Sequence, residues 1–266
     1  MEMKQLYLAY QDPHSRSWHP VGILTMDEGG TYRFVYTKGA EKIPNFCFGR
    51  MKELKVVYES RELFPLFSNR LLSNSRPEFK KHLVWLDIRN DDPLTMLAIT
   101  EGIRGTDTLE VFRCPTRNSK GEYEVVFLSH GLRHLPNHAV ERVNTLKRGN
   151  RLFLVPDPQN RYDREAMALR TDEPVEIVGY CPRYLSPDFG ELLKLNRNRP
   201  EDVVVSVKQV NTDAPLNLRL LCSIVAPWPD NFKPCSSEEF MPLADYRDEM
   251  KKGKRSETPV NLEGVH

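Results

Sequence analysis

The chain has 266 residues, enough for two domains of ordinary size. Its apolar and charged fractions, 39% and 28%, are those of a folded protein in water, and its apolar runs are too short to span a bilayer. A formal net charge of +1 argues against general coating of nucleic acid, which needs a basic surface, but leaves room for a small local pocket.

The N-terminal segment and the cysteines indicate the cellular compartment. The N-terminal segment mixes acidic and basic residues and has no long apolar core, so no secretory signal is expected. The five cysteines are scattered without a CxxC pair, which argues against a disulfide framework and a thiolate zinc site. We expect reduced cysteines, no cofactor, no membrane partner and a cytoplasmic location, nucleoid-associated if the protein binds DNA.

Residues 1–114 are predicted to form a small α+β domain of antiparallel strands and short helices. Alternating apolar residues predict strands at Leu6–Tyr10, Pro20–Thr25, Thr31–Tyr36 and Thr108–Phe112, with a hairpin turn at Asp27–Gly30. Helical spacing and start signals predict helices over Leu66–Leu72, over Arg76–Leu86 and from Pro93 to Gly102.

This order of elements resembles the N-terminal subdomain of the HipA toxin kinases. The matching segments are Val21–Thr25, Tyr32–Tyr36, Leu63–Phe64, Phe67–Leu72 and Pro93–Gly105. The phosphate-binding loops and catalytic segments of a kinase are missing from the sequence, so we expect no enzyme. The resemblance implies a domain that docks on a separately encoded HipA-like serine/threonine kinase. Whether it would inhibit or activate that kinase stays open.

A polar, turn-rich linker is predicted at residues 115–122. The clearest succession of strand and turn signals in the sequence follows at Leu152–Arg183. An apolar strand at Leu152–Val155 leads into a turn at Pro156–Asn160, where prolines prevent helix and Asp and Asn cap their own backbone. Two further strands are predicted at Met167–Leu169 and Ile177–Tyr180.

The string D-P-x-N-x-Y-D-x-E-A from Asp157 to Ala166, followed by Gly179-Tyr180 and Pro182-Arg183, resembles the signature of the HIRAN domain. The resemblance covers residues 123–228. It implies a mostly β barrel similar to an OB-fold that captures the 3′ end of single-stranded DNA. In that family aromatic rings stack on the terminal bases, and an aspartate receives the 3′-hydroxyl.

The resemblance places six DNA-binding candidates on this sequence: Arg133, His134, Tyr162, Asp163, Tyr180 and Arg183. His134 and Leu135 stand where nucleic-acid-binding members carry two tyrosines. A purely structural role for Tyr162 and Asp163 is the alternative, because an Asp often caps a turn and a Tyr often packs on a sheet.

Other patterns are weaker. His130, His134 and His138 recur at helical spacing, but Gly131 and Pro136 interrupt a helix there, so no metal site is predicted. Residues 229–266 are predicted to be a C-terminal extension, with a possible helix from Ser236 through Glu249 and disorder from Lys251.

Three functions follow from these patterns. The first is a non-catalytic, antitoxin-type regulator that binds a HipA-like kinase through residues 1–114 and a DNA end through residues 123–228. The second is a stand-alone 3′-end-binding protein of DNA repair. The third is a nuclease, for which the sequence supplies no metal-carboxylate site.

Overall fold

The structure, a computed structural model, describes residues 4–246. It contains eleven strands: β1 Lys4–Gln11, β2 Trp18–Met26, β3 Tyr32–Tyr36, β4 Tyr58–Ser60, β5 Leu109–Phe112, β6 Glu122–Leu128, β7 Arg151–Pro156, β8 Met167–Arg170, β9 Ile177–Tyr180, β10 Val204–Val210 and β11 Leu220–Pro227. Its five α-helices are α1 Pro65–Ser68, α2 Phe79–Trp85, α3 Pro93–Thr100, α4 Asn137–Thr145 and α5 Ser186–Leu195. None of the helices in this range is long and apolar enough to cross a bilayer.

The described chain forms two compact units that are not continuous in sequence. The first contains residues 4–72, 92–114 and 235–246, and the second contains residues 73–91 and 115–234. The predicted α+β class, with a mostly β second part, is confirmed.

The first unit is built on an antiparallel sheet of order β4-β3-β2-β1-β5. The predicted hairpin joins β2 to β3, and its turn is fixed by Asp27, whose carboxylate accepts the Thr31 N–H at 2.9 Å and pairs with Arg33 at 2.7 Å. Leu6 and Leu8 point from one face into a core shared with α1 and α3. The predicted helix over Leu66–Leu72 is wrong in length, because α1 ends at Ser68.

The opposite face of this sheet is covered by residues 235–246, which we call the C-terminal strap. The Lys38 N–H donates to the Met241 carbonyl at 2.9 Å, and the Leu243 N–H donates to the Tyr36 carbonyl at 2.8 Å. The predicted helix from Ser236 is wrong, since only a 3₁₀ turn forms at Glu238–Phe240 and an extended segment follows. The rest of that predicted helix, and the predicted disorder from Lys251, lie outside the described residues.

The second unit contains an antiparallel sheet of order β6-β11-β10-β7-β8-β9. The sheet curls, and its two ends meet where His130 and Tyr180 exchange backbone hydrogen bonds of 2.9 and 3.0 Å. Alternate residues of the strands, such as Leu152, Val205 and Cys222, point into the enclosed core with Phe189 of α5. This curled sheet positions every candidate site residue.

Helix α2 packs within the second unit. The Trp85 indole N–H donates to the Asp213 carboxylate at 2.9 Å, and the Asn211 side-chain amide donates to the Trp85 carbonyl at 2.9 Å. Lys208 pairs with Asp87 at 3.2 Å just after the helix. A segment flanked by first-unit residues on both sides therefore adds a helix to the second unit.

Candidate nucleic-acid interface

The loop between β7 and β8 is a compact turn held by its own side chains. The Asp157 N–H donates to the Ala166 carbonyl at 2.9 Å and closes the base of the loop. The Asn160 side-chain oxygen accepts the backbone N–H groups of Tyr162 at 3.0 Å and Asp163 at 3.2 Å. This is the local capping chemistry that favours Asn in turns, and it fixes the backbone of both candidate residues.

Tyr162 presents its ring to solvent from this fixed backbone. It is 85% exposed, the highest value among the large hydrophobic side chains in the described chain. The alternative role of packing on the sheet is therefore wrong for Tyr162. An exposed aromatic face on an ordered turn is suited to stack on a flat ligand.

Asp163 follows with a half-buried carboxylate. One of its oxygens accepts the Glu165 backbone N–H at 3.0 Å, as an aspartate in a turn is expected to do. The other lies 3.3 Å from a guanidinium nitrogen of Arg183, so two candidates from separate segments form an ion pair. Each carboxylate oxygen can accept two hydrogen bonds, so the group keeps capacity for a ligand donor.

Tyr180 is aimed by a β-bulge in β9. Ala168 of β8 pairs with Tyr180, and Arg170 pairs with Ile177. One residue of β8 therefore lies opposite two residues of β9. Such a bulge changes which face the next side chain takes, so Tyr180 points outward although Val178 is in the core. The Tyr180 hydroxyl then donates to the Asp157 carboxylate at 3.1 Å.

Only glycine fits at the bulge position 179. Its φ of +127° is unfavourable for any L side chain, and a Cβ there would lie 1.8 Å from the Ser129 hydroxyl oxygen. Ser129 in turn donates to the Val178 carbonyl at 3.0 Å. The Gly-Tyr pair of the sequence pattern thus has a physical reason, because it lets the two ends of the curled sheet approach each other.

Arg133 and His134 lie in a 3₁₀ turn, Leu132–His134, that begins directly after this closure. Gly131 enters the turn with φ +77°, close to the Tyr180 ring, and Leu132 anchors it in the core. Both candidate side chains are exposed, and the Arg133 Nε donates to the His134 Nε2 at 3.0 Å.

Tyr180 connects the two groups of candidates. Its backbone pairs with His130, just before the Arg133 turn, and its hydroxyl reaches Asp157 at the start of the Tyr162 turn. Burial and the Asp157 carboxylate raise the pKa of Tyr180, so its hydroxyl remains protonated at neutral pH. Asp157, Asn160 and Gly179 therefore position the site, although they were not among the predicted site residues.

The three histidines at helical spacing lie in different elements. His130 precedes the 3₁₀ turn, His134 ends it, and His138 lies in α4, 3.2 Å from Glu176. Among residues 4–246, no three His, Cys, Asp or Glu side chains come together as metal ligands.

Comparison with known proteins identifies the part of the chain that carries this site. Residues 123–229 match the family model described as HIRAN domain. Residues 123–229 form a HIRAN domain. The motif prediction is thereby confirmed for this part of the chain. The crystal structure of the HIRAN domain of human HLTF is 14% identical, covers 41% of this chain and 80% of its own, and superposes with a TM-score of 0.27.

A comparison with curated proteins gave no match. The HIRAN match does not extend over the first unit, so the resemblance to the HipA N-terminal subdomain stays a prediction.

Proposed function

We propose that the HIRAN domain captures the 3′ end of single-stranded DNA, with Tyr162 and Asp163 at its centre. The observation that carries the proposal is the exposed Tyr162 ring on a fixed turn, next to a carboxylate that Arg183 holds in place. Base stacking on an aromatic ring tolerates any sequence, and a carboxylate accepts a hydroxyl proton while it repels a phosphate. Together these two groups favour a free 3′-hydroxyl over a 3′-phosphate.

The other candidates surround that centre with donors. Arg183 carries N–H groups beside the Asp163 carboxylate, where a neighbouring phosphate can pair with it. Arg133 and His134 follow Gly131, which lies against the Tyr180 ring, and in this proposal they contact the same strand. In this proposal His134 takes the place of one stacking ring, and Leu135 provides only apolar contact.

Fluorescence anisotropy of a labelled single strand at fixed salt tests the proposal, with 3′-hydroxyl and 3′-phosphate ends compared. Tyr162→Ala should weaken binding to the hydroxyl end roughly 5- to 150-fold, the range for the loss of one stacked base. Asp163→Asn should reduce the preference for the hydroxyl end, because the repulsion of a phosphate disappears. Val175→Ala, at another exposed apolar side chain of the same domain, is the control and should change neither. Equal affinity of the unaltered protein for both ends rejects end capture.

For the first unit we propose docking on a HipA-like serine/threonine kinase, so that the chain acts as a non-catalytic regulator in a toxin–antitoxin or defence module. The support is the order of hairpin, short helices and closing strand in the sequence. Co-expression of the full chain with a HipA-like kinase core that lacks its own N-terminal subdomain should give a stable complex. If the full chain and such a kinase do not co-purify, the stand-alone role in DNA repair is favoured.

A further inference from the structure

The outer face of β7 and β8 carries a phenylalanine flanked by two arginines. Phe153 of β7 lies directly opposite Arg170 of β8, whose guanidinium carbon is 4.5 Å from the centre of the ring. Arg151, two residues earlier on β7, has its guanidinium carbon 5.5 Å from the same ring. We call Arg151, Phe153 and Arg170 the arginine track.

Both guanidinium groups are ordered, yet neither charge is neutralised. Arg151 donates to the Glu201 carbonyl at 3.0 Å, and Arg170 donates to the Thr171 carbonyl at 3.0 Å. Neither pairs with a carboxylate within residues 4–246, in contrast to Arg70, which pairs with Asp107 at 2.6 Å. A guanidinium has five N–H donors, so most of the donors on each arginine remain for a ligand.

The arginine track lies on the same face of the sheet as the candidate pocket. Phe153, Val155 and Asp157 alternate along β7 and its continuation, and Asp157 accepts the Tyr180 hydroxyl. Val155 lies opposite Ala168, which lies opposite Tyr180, so the outward side chains of three strands share this face. Phe153 and Asp157 are four residues apart along an extended chain, a distance of about 13 Å.

We propose that the arginine track binds the phosphates of the nucleotides that precede the 3′ end held at Tyr162 and Asp163. This rests on the proposed function, because the 3′ end in its pocket sets the direction in which the strand continues. The ligand chemistry follows from charge: two fixed, uncompensated guanidinium groups match successive phosphodiesters and form charge-assisted hydrogen bonds with them. The contact is independent of base sequence.

The test compares 3-nucleotide and 10-nucleotide strands on the full chain, each with a 3′-hydroxyl or a 3′-phosphate. The 10-mer with a 3′-hydroxyl should bind more tightly than the 3-mer. The double variant R151Q/R170Q should lose roughly tenfold affinity for the 10-mer and keep its affinity for the 3-mer. The slope of log affinity against log salt should fall by roughly 1.4 for the 10-mer, at about 0.7 per phosphate contact on a single strand.

Two further variants separate charge from structure. R151K/R170K keeps both charges and should keep most of the salt slope, whereas K194Q/R197Q removes two exposed charges at the end of α5 and should change nothing. A 10-mer that gains no affinity over the 3-mer, or a gain that survives R151Q/R170Q, overturns the inference while end capture stands. Absence of a 3′-hydroxyl preference with both strands overturns end capture and this inference together.

Discussion

At the residue scale, the site depends on local turn chemistry together with one non-local approach. The turn from Asp157 to Ala166 is determined by residues close in sequence. A turn there was therefore predictable, including the capping of the Tyr162 and Asp163 backbone by Asn160. The outward direction of the Tyr180 side chain was not predictable, because it depends on the pairing of β8 with β9 and on the approach of Ser129, which follows β6. The arginine track was not predicted for the same reason, because only the register between β7 and β8 places Arg170 against Phe153.

Gly179→Ala is predicted to destabilise the HIRAN domain by on the order of 3 kcal/mol, because it combines an unfavourable positive φ with a collision at Ser129. Gly149→Ala is the matched control. Gly149 also has a positive φ, +87°, but nothing lies within 4 Å of an added Cβ, so its cost should be only about 1–2 kcal/mol. Urea denaturation of the two variants measures the difference, and equal costs would contradict the close approach at position 179.

At the element scale, strands were predicted more reliably than helices. Period-two alternation located β1, β2 and β3, because each has one face that must be buried. The helix signals placed α2 and α3 but extended α1 past Ser68, where the apolar spacing of Leu71 and Leu72 continued without a helix. Packing, rather than spacing, therefore decides where these short helices end.

Helix α5 contains a buried acid that links stability to pH. Asp188 accepts a hydrogen bond from the Tyr123 hydroxyl at 3.3 Å, and burial, with the Glu191 charge adding to it, raises the pKa of Asp188 from 3.8 to about 7. Between these pH values the folded state binds more protons than the unfolded state, so the free energy of unfolding falls as pH rises. The stability that protonated Asp188 contributes is fully present below about pH 4 and is lost as the pH rises to about 7.

Asp188→Asn is therefore predicted to remove a pH-dependent loss of stability on the order of 4 kcal/mol, at 1.36 kcal/mol per pKa unit. Denaturant unfolding at pH 4 and pH 8 measures it: the unaltered protein should lose stability between the two, and the variant should lose less. Asp230→Asn changes an exposed acid of the same unit and is the control. If Asp188→Asn shows the same pH slope as the unaltered protein, Asp188 is ionised in the folded state.

At the scale of the whole molecule, the chain crosses between its two units four times. Residues 73–91 lie between two first-unit segments in sequence but belong to the second unit. The C-terminal strap follows a second-unit segment but belongs to the first unit. Nothing in local composition marks this exchange, because the partners of α2 and of the strap, such as Asp213 for Trp85 and Tyr7 for Phe240, lie more than a hundred residues away. In the first unit the strap covers a sheet face that contains Tyr7 and Phe112.

Removal of the strap is predicted to destabilise the first unit and leave the HIRAN domain folded. Phe240 packs edge-on against Tyr7 at 5.1 Å and near Phe112 at 6.2 Å, and Tyr246, which is 1% exposed, donates to Gln5 at 3.1 Å. Truncation after Pro234 loses these contacts and the two backbone hydrogen bonds to β3 and Lys38, and exposes an apolar sheet face. The loss of even 2 kcal/mol should lower the melting temperature of this unit by roughly 8–16 °C.

Hydrogen exchange by mass spectrometry resolves the two units in one experiment. Amides of β1, β2 and β5 should exchange faster in residues 1–234 than in the full chain, because their protection depends on the stability of the first unit. Amides of β10 and β11 should be unchanged, and a chain of residues 1–246 should behave as the full chain does. Equal protection of β1 with and without the strap would mean that the sheet is stable by itself. In that case its Tyr7 face would be free to receive a partner, and the first unit could be tested for kinase docking on residues 1–234 alone.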